Sequence, residues 1–118
     1  MKSIHKIAIL VLWLVLVVML VVTSLLPNVH PPTPYQHMDK VYHFSAYAFA
    51  SFLPAVVIRT HRGLLWVCLF LVLIGIGTEY GQHFIPSRTG TVGDLIANML
   101  GVLSGVIVGQ WLGRKIGL

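Results

Sequence analysis

Apolar and polar positions fall in long blocks rather than in short alternation. The first apolar run covers roughly Ile7 to Leu26 and contains no charged residue. At about 1.5 Å per residue it reaches about 30 Å, the depth of a bilayer's hydrocarbon core. A second helix is predicted over Lys40 to Ile58. It is the most polar of the set, with His43, Ser45, Tyr47 and Ser51 along it and Pro54 inside. Membrane helices tolerate such a proline, and a polar segment belongs in a bundle interior. The third helix, Leu64 to His83, is apolar in its first half. Its second half holds Gly75, Gly77, Thr78, Glu79, Gly81 and Gln82, so packing against partners is expected there. The fourth, Gly93 to Leu112, carries Ala97, Gly101, Gly105 and Gly109 at four-residue spacing. That ridge of small residues lets another backbone approach closely, within one chain or in a homo-oligomer formed through the last helix.

The pattern therefore predicts an all-α membrane protein: one domain, a four-transmembrane-helix bundle with helices over 7–26, 40–58, 64–83 and 93–112. Pro27 ends the first helix, and Pro31, Pro32 and Pro34 hold the longest loop extended or turned. Asp39 is placed to cap the second helix. Arg59, His61, Arg62 and Gly63 form a short basic turn, and a loop with Pro86, Arg88 and Gly90 precedes the last helix. The basic start and apolar run are also features of a signal peptide. The run exceeds the usual length of such a core, and Val22-Thr23-Ser24 makes a poor cleavage site, so an uncleaved helix is the reading taken.

Composition narrows the solvent. The chain has 118 residues, 57% hydrophobic and 9% charged, more apolar surface than a soluble domain of this size can hide. The formal charge is +5, but the cations sit in short clusters between apolar runs, not in a nucleic-acid-binding stripe. Lys2, Lys6, Arg59, Arg62, Arg114 and Lys115 fall at one set of helix ends, and only Lys40 and Arg88 at the other. The positive-inside rule places both termini in the cytoplasm and the Arg88 loop outside. Cys68 lies alone within an apolar run and reads as a packing residue. Phosphate-loop, dinucleotide and zinc-protease motifs are absent from the sequence.

All three acidic residues, Asp39, Glu79 and Asp94, fall at the outer helix ends, where carboxylates at membrane depth tend to mark function. They share that layer with Lys40, His43, Gln82, His83, Arg88 and Asn98. Four-residue spacing puts Asp39, His43 and Tyr47 on one face, and Asp94 and Asn98 on the face that continues into Gly101. Taken singly, Asp39 and Asp94 also read as helix-start residues favoured by capping and the macrodipole. Glu79 near a helix end of negative dipole needs a partner, for which Arg88, Lys40 and His43 are candidates. As a group, Lys40 and Arg88 are the expected binders of an anionic head group. His43 and Glu79 are the candidate acid–base pair if the protein is an enzyme. Asp39, Gln82, Asp94 and Asn98 support the site. Asp39/His43 and Glu79/His83 are carboxylate–histidine pairs one turn apart, a spacing that suits a divalent ion, but no metal and no cofactor is expected.

Three motifs then carry a resemblance. Met38–Tyr47 (MDKVYHFSAY), Thr78–Arg88 (TEYGQHFIPSR) and Gly93–Gly101 (GDLIANMLG) resemble, in order and spacing, the motifs of VanZ-like membrane proteins over about Met38 to Gly109. The motif positions are Asp39, Lys40, His43, Glu79, Gln82, Arg88, Asp94, Asn98 and Gly101. Ser87 departs from a common Gly, and His83 stands where an apolar residue is usual. The resemblance implies a multi-pass protein of the bacterial cytoplasmic membrane and cell envelope, in a family named for a member linked to teicoplanin resistance. The readings carried forward are a binder of membrane lipids or a lipid-linked wall precursor, an enzyme acting on a lipid-linked phosphate or ester, and a packing module or partner subunit. No nucleic-acid partner is expected.

Overall fold

A computed structural model describes residues 3–26, 38–84 and 92–117. These form α1 (Ser3–Leu25), α2 (Met38–Val57), α3 (His61–Gln82) and α4 (Val92–Lys115), with no strand among the described residues. Every helix begins earlier than the hydropathy pattern implies. For α3 the reason is local: the Thr60 side chain accepts a hydrogen bond from Gly63 N at 3.1 Å, an N-cap that draws His61, Arg62 and Gly63 out of the expected turn and into the helix. The proline-rich segment and the Pro86–Gly90 loop lie outside the described residues.

An apolar core that includes Val17, Tyr47, Val67, Leu71 and Val102 is joined in the interior by polar residues, and large apolar side chains lie outside. Ser51, Thr78, Glu79, Gln82, Asp94 and Asn98 are buried, while Leu65, Trp66, Leu73, Ile107 and Trp111 are exposed. In water, that exterior would be one large unpartnered apolar patch; against lipid it costs nothing. Helices α1, α3 and α4 are long and apolar enough to cross a membrane. The fourth, α2, spans 20 residues but carries the polar positions named above.

The main interface joins α2 to α4, and the glycine ridge makes it. Gly101 faces Phe44 O and Ala48 N, Gly105 faces Ala48 O and Ser51 Oγ, Gly109 faces Phe52 O and Ala55 Cβ, and Gly113 faces Val56 O and Arg59. The ridge thus extends one step past Gly109 and is occupied by α2 of the same chain. Phe44, Ala48, Phe52 and Val56 meet Gly101, Gly105, Gly109 and Gly113 in order, so the two helices run parallel. The same holds between α1 and α3: Trp13 lies against Phe70, with ring centroids 5.9 Å apart, and Ser24 against Gln82. The α1 and α4 helices do not touch among the described residues.

Backbone groups that helices leave open are closed by side chains, as a low-dielectric surrounding demands. Pro54 has no N–H, so the Ala50 carbonyl one turn earlier loses its helical donor; the Trp13 indole N–H of α1 donates to it at 2.7 Å. The last carbonyls of a helix also lack partners. Gln110 Nε2 donates to Ala55 O and Ile58 O, each at 2.7 Å, at the end of α2, and Arg59 Nη2 donates to Val56 O. Gln82 Nε2 does the same for Ser24 O of α1 at 2.9 Å.

Candidate functional site

Antiparallel neighbours bring the starts of α2 and α4 level with the end of α3, and their polar residues converge there. Asp94 sits in the first turn of α4, where the positive end of the helix dipole favours a carboxylate, and is 2% exposed. Asn98 follows one turn later on the same buried face, above Gly101, so the close packing of α4 on α2 carries both toward His43. Glu79 arrives from α3 and is 7% exposed.

His43 is the hub. Its Nδ1 lies 3.0 Å from Asn98 Oδ1 and 3.7 Å from Glu79 Oε1; its Nε2 lies 4.0 Å from Asp94 Oδ2. Asp94 divides its oxygens, because Oδ1 lies 3.7 Å from Lys40 Nζ. Ligand atoms of His43, Glu79 and Asp94 all fall within 4.8 Å of one another. These contacts of 3.7–4.0 Å are longer than direct hydrogen bonds. Beside the cluster, a cleft of about 290 Å³ opens between α1 and α2, lined by Leu20, Thr23, Ser24, Tyr42, His43, Ala46 and Tyr47. The hub is therefore reached from the side of the bundle.

Lys40, His43, Glu79, Asp94 and Asn98 thus form one group. Gln82 is buried but spends its amide on α1, tying α3 to the Ser24 carbonyl. Ala97 is partly buried, and Gly101, Gly105 and Gly109 pack on α2. Arg88 and the side chain of Asp39 lie outside the described residues. His83 is exposed, and of the candidate partners for Glu79 it is His43 that stands beside it, at 3.7 Å. Sequence reasoning assigned α1 no part in the site. The signals were its late Thr23 and Ser24, polar residues at the end of an otherwise aliphatic run.

A small all-helical protein with polar groups inside and aliphatic surface outside has the build of a membrane protein. The chain belongs to the VanZ/LLP1 family, whose model matches residues 2–113. No curated protein and no solved structure matches it.

Proposed function

We propose that this VanZ-family protein binds the polar head of an anionic lipid, or of a lipid-linked cell-wall precursor, at the carboxylate-rich end of its bundle. In this reading all four helices cross the bacterial cytoplasmic membrane; α2, at 20 residues, has the length of about 30 Å that a crossing takes. Both termini are cytoplasmic, following the cation asymmetry, and the cluster faces outward. The observation that carries the reading is the cleft between α1 and α2 ending on His43: a lipid moving sideways in the outer leaflet presents its head there while its chains stay in hydrocarbon. Lys40, with its side chain 36% exposed, and Arg88 supply the positive charge for a phosphate. Asp94 and Asn98 hold Lys40 and His43 in place.

A second reading, acid–base catalysis on a lipid-linked phosphate or ester, is favoured by one specific arrangement. His43 stands between two carboxylates, 3.7 Å from Glu79 and 4.0 Å from Asp94, which suits proton transfer. Native mass spectrometry of gently extracted protein separates these. A binder co-purifies with a phosphate-bearing lipid, loses it in Lys40→Ala and Arg88→Ala, and yields no product. An enzyme keeps the lipid but loses turnover in His43→Gln and Glu79→Gln. Absence of lipid from the wild type, with all four variants poorly assembled, would replace both readings by a packing module. Any link to glycopeptide resistance is a separate test, made by expressing the chain in a sensitive host and titrating teicoplanin.

A further inference from the structure

We propose that His43, Glu79 and Asp94 form a binding site for a divalent first-row metal ion, of which Zn²⁺ is the natural probe. The argument begins with donor type. One imidazole and two carboxylates are a mixed nitrogen and oxygen set that such ions accept, and three protein ligands leave a position open for an exogenous oxygen. The three come from three helices and are gathered at one point, within 4.8 Å of one another. Metal–ligand bonds of about 2.0–2.2 Å place tetrahedral ligand atoms about 3.4 Å apart. Asp94 Oδ2 already stands on the Nε2 side of the ring, whereas Glu79 Oε1 stands 3.7 Å from Nδ1, so closing the set on Nε2 requires the Glu79 carboxylate to turn toward Asp94.

The histidine is already set for the role. An amide oxygen only accepts, so Nδ1 is the donor to Asn98 Oδ1 at 3.0 Å; this orients the ring and directs Nε2, the nitrogen an ion would take, toward Asp94 Oδ2 at 4.0 Å. Ligating histidines characteristically hold their other ring nitrogen this way. Lys40 engages Asp94 Oδ1, not Oδ2, so an ion between Oδ2 and Nε2 leaves that pair intact. The cleft lined by Thr23, Ser24 and Tyr42 supplies the path by which an ion reaches His43. The site deepens the head-group reading and rests on it for what the open position faces: a bound cation takes a phosphate oxygen as a ligand. Ion binding is tested without lipid, so the two can fail separately.

The experiment uses the full chain in detergent, stripped with chelator and titrated with Zn²⁺ alone by calorimetry, with Co²⁺ absorption as a direct view of the ligand field. The expected result is one tight ion per chain, a Co²⁺ spectrum of a four- or five-coordinate nitrogen and oxygen site, loss of binding in His43→Ala and Asp94→Asn, and affinity weakened about 10–100-fold in Asn98→Ala. Simultaneous replacement of the exposed His5, His61 and His83 by Ala leaves the ion bound. Stoichiometric binding that survives His43→Ala, or that disappears with the three exposed histidines, overturns the proposal. So does a wild-type Co²⁺ spectrum no different from the aqua ion, which requires no variant to fold. If the ion fails to bind while mass spectra still show lipid, the metal site is refuted and the head-group reading stands.

Discussion

Replacing Gly105 by Ala is the sharpest test of the α2–α4 interface. A Cβ built there falls on Ala48 O and Ser51 Oγ and lies 2.9 Å from the Ala48 carbonyl carbon. The serine hydroxyl can swing away, but the backbone carbonyl cannot, so the helices must part. Overpacking of this kind costs about 1–3 kcal/mol, and the absence of a rotameric escape places Gly105→Ala at the upper end. Gly77→Ala is the matched control, because a Cβ there meets nothing within 4 Å. It changes helix propensity alone, a gain of up to about 1 kcal/mol. The two variants should differ by about 3 kcal/mol, a factor of more than 100 in the unfolding equilibrium. Reversible unfolding in mixed micelles, followed by circular dichroism, measures both. Equal stabilities for the two, or a Gly105→Ala protein as stable as the wild type, would refute the parallel ridge packing.

Trp13→Phe should cost about 1–3 kcal/mol, since it strands the buried Ala50 carbonyl. In a Pro54→Ala background, where the helix regains its own donor, the cost of Trp13→Phe should shrink; a double-mutant cycle with no coupling would dismiss the link between that indole and the proline. Gln82→Leu removes the donor to Ser24 O and should lower stability by about 1–3 kcal/mol; unchanged unfolding would dismiss the tie between the ends of α1 and α3. Asp94→Ala removes a buried carboxylate that faces Lys40 and His43 and should destabilise by about 1–3 kcal/mol, the range for a hydrogen-bonding partner lost inside a protein; unfolding unchanged from the wild type would mean that Asp94 does not hold the cluster together.

Much of the architecture can be read from spacing alone, because lipid makes the rules strict. An apolar run of membrane length has few alternatives to a helix, and small residues four apart have few uses besides close approach. The ridge in α4 was legible for that reason, but its partner was not: four-residue spacing says that a backbone comes near and leaves open whose backbone it is. Donor–acceptor closure was harder still. That Pro54 frees a carbonyl follows from the sequence; that Trp13, 37 positions before Ala50, closes it depends on the rotation of α1, which an aliphatic surface does not specify. Thr60 does not stand out as a cap in the sequence, because the charges around it read as a turn.

The convergence of the candidate site has a simple geometric cause. Residues of α2 meet α4 at a constant separation, Phe44 with Gly101 through Val56 with Gly113, and α1 meets α3 at nearly the same one, Trp13 with Phe70 and Ser24 with Gln82. Two helical hairpins of equal length thus stand side by side pointing the same way. In such an arrangement the start of each descending helix lies level with the end of each ascending one. His43 and Asp94 begin descending helices and Glu79 ends an ascending one, so residues far apart in the chain share a level. The ridge then sets the distance within that level, since a bulkier α4 would hold Asp94 and Asn98 away from His43. The glycines and the polar cluster are for this reason one device, and the stability test at Gly105 is also a test of how the site is brought together.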